Sequence, residues 1–369
     1  MVRPLYQPAA DATLIRAADG NAGLWYDKFC GCWSINPWKM KADDPEGGKL
    51  AWIDTLTRQA LGQGQQLEEI ANRRIQLSLL QGGRSLVFRT DSRFVTGLGR
   101  SHPVENGFAW HHTLGTPYLP GSSIKGMVHA WAKHQLDPKP DKAILARLFG
   151  GPGQAGAVCF LDAVPINPVK VEADVITPHY APWSTDDPPG DWKSPSPVPF
   201  LVTASGLRLL FTLLPSGQGN SSDLQQVETW LIDSLKWAGA GAKTAVGYGR
   251  MAADRERTEE LVNVVLKEMQ QRQKEREDAE RLASLNPLEQ ELEVIAQQAA
   301  QLPRHRAWII AVESGRWSNQ PAIELSVLKH IEQTMRGNDY WRETHSKKHA
   351  KKFNDTQKVR QLLARHNPA

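Results

Sequence analysis

Two segments of the sequence bring together residues that could do chemistry. Gly239-Ala-Gly-Ala-Lys-Thr-Ala-Val-Gly-Tyr-Gly249 sets Gly239, Gly241, Gly247 and Gly249 around Lys243 and Thr244, with Tyr248 between the last two glycines. Glycine lacks the Cβ that disfavours positive φ, so such a run can turn tightly and bring its backbone close to a ligand. Exposed N–H groups beside a lysine make a seat for an anion. The spacing is not that of the common nucleotide loops: it misses G-x-G-x-x-G, no G-x-x-x-x-G-K-[ST] is present, and the run follows a helical pattern where those loops precede one. An ordinary glycine-rich turn is the competing reading. The second segment is Leu119-Pro-Gly-Ser-Ser-Ile-Lys-Gly126. Pro120 and Gly121 end an extended stretch, and Ser122 and Ser123 can cap the helix that follows. Free N–H groups and the positive end of the helix dipole suit a phosphate, with Lys125 in the first turn. A plain cap with a solvated lysine is the alternative.

Other candidates are weaker. His111-His112 and His179-Tyr180 could serve general acid–base chemistry. On an extended segment the adjacent His111 and His112 would point to opposite faces, so at most one could serve a given site. A structural or interface histidine is the plainer reading of each. Asp174, Asp186, Asp187 and Asp191 could suggest a metal, yet they fall in a proline-rich stretch where acidic residues are common. Cys30, Cys32 and Cys159 cannot build a disulfide framework, and a lone C-x-C lacks the partners of a zinc site. The residues therefore predict no catalytic set, no metal and no cofactor.

The elements that must position the two motifs alternate strand and helix. Leu86–Phe88 and Phe94-Val95 read as strand, Ser122–Gln135 as helix, Ala157–Leu161 and Leu207–Leu214 as strands. Asp223–Trp237 has Leu224, Val227, Leu231 and Leu235 at helical spacing, and Val246–Met251 can supply a last strand. The order strand, helix, strand, strand, helix, strand is the ferredoxin-like one, an α+β arrangement shared by many unrelated functions. Residues 163–200 form a proline-rich insertion too long for an ordinary hairpin.

Composition changes near residue 254. Residues 1–254, with an N-terminal helical segment, form the expected α+β domain; 255–284 read as a charged connecting helix; 285–369 read as a small all-helical module opened by Asn286-Pro287. Arg255–Arg281 carries 7 basic and 8 acidic residues, the pattern of an exposed, salt-bridged helix. Ser346–Arg365 gathers seven lysines and arginines against Asp355 alone, either a solvated helix face or a surface for a polyanion.

The 369 residues carry a net charge of +4, which by itself selects no partner. Hydrophobic residues make up 40%, enough for real cores, and the length suggests about two domains. The first twenty residues lack the apolar run of a signal peptide, and the longest nearly uncharged stretch, Ser194–Leu207, is too short and too proline-rich to span a bilayer. A cytoplasmic protein without membrane contact is expected.

Taken together, the Pro-Gly-Ser-Ser-x-Lys-Gly helix start and the late glycine-rich loop resemble the RAMP superfamily of CRISPR-associated RNA-binding proteins. Asn21–Lys28, Gly107–Thr113, Asp174–Tyr180 and Gly239–Thr244 narrow the likeness to the sixth-subunit RAMPs of type III-B (Cmr) effector complexes. The likeness runs from about residue 20 to residue 252; the tail 255–369 falls outside it. It implies a ferredoxin-like, RNA-binding fold and a non-catalytic subunit at the 3′ end of the CRISPR guide RNA, closing the stacked backbone of the ribonucleoprotein in antiviral defence. The partners implied are guide RNA, target RNA, other RAMP backbone subunits and small helical subunits. The RNA-binding residues implied are Ser122, Ser123, Lys125, Gly239, Gly241, Lys243, Thr244, Gly247, Tyr248 and Gly249. The insertion 163–200 would be a thumb-like or partner-contacting element. Because some RAMP proteins cleave precursor CRISPR RNA, a processing endoribonuclease is the runner-up and a pure protein–protein adaptor the third possibility.

Overall fold

The computed structural model describes residues 16–178 and 194–366, apart from residues 18, 35–38, 41–47 and 196. Backbone contacts divide the chain into two units, Met1–Glu268 and Met269–Ala369. No helix among the described residues is long and apolar enough to cross a membrane.

The first unit mixes helix and sheet in the α+β manner. Ala22–Lys28 (α1) is capped by Asn21, whose side-chain oxygen accepts from the Leu24 N–H at 2.9 Å. Trp33–Ser34 (β1) pairs with Lys39–Met40 (β2), and Lys49–Thr57 (α2) and Gly64–Leu80 (α3) follow. In α3 the buried Leu67, Ala71, Ile75 and Ser78 recur every three or four residues and so share one face. After Arg84–Thr90 (β3) come a two-residue ladder, Ser101–His102 (β4) with Glu105–Asn106 (β5), and two helices, Gly121–His134 (α4) and Lys142–Phe149 (α5). Val158–Phe160 (β6), Val164–Pro165 (β7), Val171–Ile176 (β8), Val198–Thr203 (β9) and Arg208–Pro215 (β10) precede Ser221–Trp237 (α6) and Met251–Ala253 (β11).

One sheet runs β11–β3–β10–β6, with β7 also on β10, and every pairing is antiparallel. In the register of its centre, Leu210 lies opposite Val87 on one side and Leu213 opposite Phe160 on the other. Leu209 through Leu213 are all buried, which requires cover on both faces of β10. The sequence shows this as an unbroken apolar run. In α6 a capping box joins Asn220 to Asp223, and the Asp223 carboxylate also takes two hydrogen bonds from Arg147, at 2.8 and 2.5 Å.

Three local expectations are corrected. Phe94-Val95 is no strand; Phe94 makes only an isolated bridge to Thr203. Val246–Met251 is no strand either, because Thr244–Val246 closes a 3₁₀ turn and Gly247 and Gly249 hold φ of 94° and 73°, so pairing begins at Met251. Ser122 and Ser123 do not cap α4: Pro120 occupies the cap position, and its carbonyl accepts the Ser123 and Ile124 N–H groups at 2.9 and 3.1 Å. The stretch 163–200 is more than loop. It contains β7 and β8 and enters β9, and β8 and β9 form a ladder from Val171–Thr203 to Ile176–Val198.

Arg255–Ser284 (α7) is one continuous helix whose single buried residue is Val265, and the division between units falls within it, after Glu268. Described by itself, the second unit contains Pro287–Gln298 (α8), Arg304–Glu313 (α9), Pro321–Gly337 (α10) and Ala350–His366 (α11). Helix α8 opens with a capping box, Asn286 with Glu289, and Pro287 in its first turn. Leu292, Trp308, Val312, Leu328, Ile331, Met335 and Val359 form a buried core, and the Trp308 indole N–H donates to the Leu292 carbonyl at 2.6 Å.

Candidate nucleic-acid interface

Helix α4 parts two clefts. The larger, about 720 Å³, is lined by Ser123, Met127 and Trp131 of α4, by Thr96–Gly99, and by Gly239–Ala242 and Thr244 of the glycine loop. The smaller, about 490 Å³, is lined by Ser122, Lys125, Gly126 and His129 of α4 and by Gly150, Gly151 and Gln154. The helical repeat explains the division: residues 123, 127 and 131 fall on one stripe, and 122, 125, 126 and 129 on another. The two motifs therefore do meet, through Ser123 and the glycine loop, although 112 residues lie between them in the chain. Lys125 does not share that groove. It faces the other one, with no ion pair among the described residues.

The glycine loop is held largely by its own backbone. Gly239 ends α6 with φ of 77°, the left-handed residue that commonly closes a helix, and its N–H donates to the Ser234 carbonyl at 3.0 Å. Ala240 donates to the Gly249 carbonyl at 2.9 Å, Ala242 to the Val95 carbonyl at 2.8 Å and Gly249 to the Arg93 carbonyl at 2.8 Å. A Cβ at Gly239 would lie 2.9 Å from the Tyr248 carbonyl oxygen, and at Gly241 and Gly249 it would press into the Val95 and Ala240 carbonyl oxygens. These three glycines are thus required by packing. Gly247, with φ of 94°, stands in open space. The N–H groups of Gly241, Lys243 and Thr244 have no acceptor among the described residues, so this stretch can still receive an anion.

Lys243 itself is strained and turned away from the groove. Its φ of 60° is left-handed, which costs a non-glycine residue about 1–2 kcal/mol. Its ammonium lies 5.3 Å from the Phe200 ring centre and 5.8 Å from that of Tyr248. The Tyr248 hydroxyl donates to the Asp174 carboxylate, which also accepts from Arg93 at 2.9 Å, and Arg93 reaches Glu172 at 3.2 Å. Ser92 donates to the Gly247 carbonyl at 2.7 Å. The loop is thereby tied to the β8–β9 ladder. Burial opposes ionisation of Asp174, but the bonds from Tyr248 and the Val175 N–H and the charge of Arg93 outweigh it and hold the carboxyl below its usual range.

At the start of α4 the Gly121 N–H donates to the Asp162 carboxylate at 2.7 Å. A carboxylate already complements part of this helix end, so Ser122 and Lys125 offer a ligand the rim of the helix rather than its axis. His111 is partly buried, and its Nδ1 takes the Leu114 N–H at 3.3 Å, while His112 is exposed. The two sit in a turn rather than an extended segment, since the Gly115 N–H donates to the His111 carbonyl at 2.9 Å. Burial lowers the His111 pKa. His179-Tyr180 and Asp186, Asp187 and Asp191 lie outside the described residues. Among those described, no three His, Cys, Asp or Glu side chains converge as a metal group.

Other residues of this region also carry a signal in the sequence. Gly150-Gly-Pro-Gly-Gln-Ala-Gly156, with four glycines in seven residues, is as strong a signal as the later loop. The alternation in Val171-Glu-Ala-Asp-Val-Ile176 marks β8. Asn21 links two of the segments that carried the resemblance: besides capping α1, its amide donates to the His112 carbonyl at 2.7 Å.

Residues 87–252, from β3 to β11 and with both motifs inside, match the RAMP superfamily. More particularly, the chain is 28% identical over 229 residues to the CRISPR system Cmr subunit Cmr6 of Pyrococcus furiosus, a match covering 44% of this chain and 66% of that protein. It is 28% identical over 149 residues to the CRISPR system CMR subunit Cmr6 of Saccharolobus solfataricus, covering 39% and 47%. The chain thus spans between about half and two thirds of the length of these relatives. Among solved structures, a chain of the type III-B Cmr-beta assembly bound to cognate target RNA aligns over 56% of this chain and 70% of its own, with a TM-score of 0.46 and 22% identity. Cmr6 from Pyrococcus furiosus aligns over 46% and 97%, with a TM-score of 0.32 and 26% identity. The likeness to sixth-subunit RAMPs read from the sequence is borne out by these relatives.

Proposed function

We propose that this chain is a non-catalytic, RNA-binding RAMP subunit of a type III CRISPR effector ribonucleoprotein, seated near the 3′ end of the guide RNA, where it closes the stacked backbone in antiviral defence. The observation that carries this reading is the meeting of the helix-start and glycine-loop motifs on one groove inside the RAMP region. Open backbone N–H groups, a lysine beside aromatic rings and an uncrowded groove suit a single strand held by phosphate and stacking rather than by base identity. In this reading β3, α4, β6, β10, α6 and β11 are the six elements of a ferredoxin-like core, with the second unit as a helical appendage serving assembly. Guide RNA, target RNA, other RAMP backbone subunits and small helical subunits are its partners, in the cytoplasm.

Catalysis is assigned elsewhere in the complex. His111 is engaged with its own turn, and His112 is exposed. Incubation of the purified protein with labelled repeat RNA, with and without divalent metal, tests this directly. Intact RNA retained by the protein is expected; site-specific cleavage that disappears in His112→Ala would replace this reading with the processing ribonuclease.

A further inference from the structure

Helix α6 keeps its buried residues on one stripe, among them Val227, Trp230 and Ser234, and the same stripe continues to Trp237, the last residue of the helix. There the core has ended. Trp237 is 57% exposed, in a helix whose other tryptophan is buried. It borders an open cleft of about 560 Å³ together with Trp131 of α4, the α4 cap Gln135, Asp233 of α6 and the α6 cap Ala238. Trp131, Gln135 and Ala238 also line the larger groove, so the cleft continues that groove toward the ends of the two helices. Trp131 is half-buried, and its indole N–H is buried without an acceptor among the described residues. A buried indole N–H ordinarily finds one. Trp131 therefore serves this place as a flat apolar body, and with Trp237 it makes the cleft an aromatic one.

The charge around the cleft selects the part of a strand that fits. Helix α4 ends at Gln135 and α6 at Ala238, so two negative dipole ends and the Asp233 carboxylate border the cleft and disfavour a phosphate. The Lys236 ammonium lies over one side of the Trp237 indole, 4.8 Å from the ring centre, and leaves the other side for an uncharged partner. The Gln135 amide both donates and accepts, so it can meet the edge of any base. We propose that this cleft holds one unpaired nucleobase, stacked on Trp237, of an RNA strand whose adjoining phosphate lies at the open N–H groups of the glycine loop, which begins two residues on at Gly239. The inference rests on the RNA reading above and deepens it. One groove carries a backbone contact and, beside it, a stacking contact that tolerates any sequence because every base has a π-face.

The test uses the full-length protein and a fluorescein-labelled single-stranded RNA, with affinity read by anisotropy across a salt series. Trp237→Leu keeps apolar bulk and removes the flat ring; it should weaken binding about tenfold at unchanged melting temperature. Trp237→Phe should recover most of that loss. Stacking releases no counterions, so the slope of log affinity against log salt should equal that of wild type in both variants, whereas Lys243→Ala makes it shallower. Trp237→Ala decides the matter if Trp237→Leu fails to fold. If Lys243→Ala binds more weakly while the Trp237 variants bind as tightly as wild type, this cleft is refuted and the RNA reading stands. A wild-type protein that binds no RNA refutes both. A loss in Trp237→Leu that comes with a shallower salt slope would replace stacking by charge, and retained RNA affinity with loss of a neighbouring subunit would assign the cleft to a protein. Either result overturns the proposal.

Discussion

Gly241 and Gly247 look alike in the sequence and differ in the structure. Both have positive φ, but only Gly241 would drive a Cβ into the Val95 carbonyl. Gly247→Ala should cost about 1 kcal/mol, the left-handed penalty alone, and Gly241→Ala about 2 kcal/mol or more. Urea denaturation reads the difference, and equal losses would show that the Val95 contact is unimportant. Histidines give a second prediction at this scale. His102 is buried, its ring stacked 4.3 Å from that of Tyr26; burial lowers its pKa despite the Tyr26 carbonyl and Asp27, and burial likewise lowers those of His111 and His305. Their unfolded forms take up a proton near the ordinary value of 6.5, while the folded forms resist. Stability should therefore hold above that pH and fall as pH drops below it. The depressed carboxyl of Asp174 acts in the same direction at lower pH, where its bonds to Tyr248 and Arg93 are lost. Melting temperatures across a pH series check this, and a rise on acidification would contradict it.

The elements show what a sequence discloses and what it conceals. The run 207–214 is legible because β10 is covered on both faces, and α6 because its apolar residues keep helical spacing. The last strand was misplaced because apolar residues near 246 suggest extension, whereas two glycines at positive φ forbid it. The β8–β9 ladder lay hidden in a proline-rich stretch whose six-residue alternation is short. Of the site, both motifs were visible, but no local pattern could show that α4 sends Ser123 to one groove and Lys125 to another, since that depends on where the sheet seats the helix. The beginning of α7 is a similar case. Composition set a boundary at 254, yet the Asp254 N–H donates to the Val87 carbonyl at 2.8 Å, Thr258 accepts the Val87 N–H at 2.9 Å, Arg208 pairs with Asp254 at 2.9 Å, and Val265 is buried. A chain ending at Glu268 should fold with a higher melting temperature than one ending at Ala253, by several degrees. Equal melting temperatures would mean that these bonds add nothing.

At the scale of the molecule, two units have different chemistry. The first presents both glycine-lined clefts. The second is a small helical core whose basic stretch is partly neutralised, since Lys358 pairs with Glu313 at 2.9 Å, Arg360 with Glu343 at 2.8 Å, and Asp355 is already held by Arg306 at 2.8 Å. RNA affinity should therefore reside in the first unit, with the second serving assembly. The central claim is that the glycine loop, with the Lys243 ammonium beside Phe200 and Tyr248, holds RNA by phosphate rather than by base identity, and equilibrium binding of wild type and Lys243→Ala to two single-stranded RNAs of unrelated sequence, titrated with salt, tests it most directly. The account predicts similar weakening for both sequences and a slope of log affinity against log salt shallower by about 0.7 in the variant. Identical affinities and slopes for the two proteins at every salt concentration would contradict it.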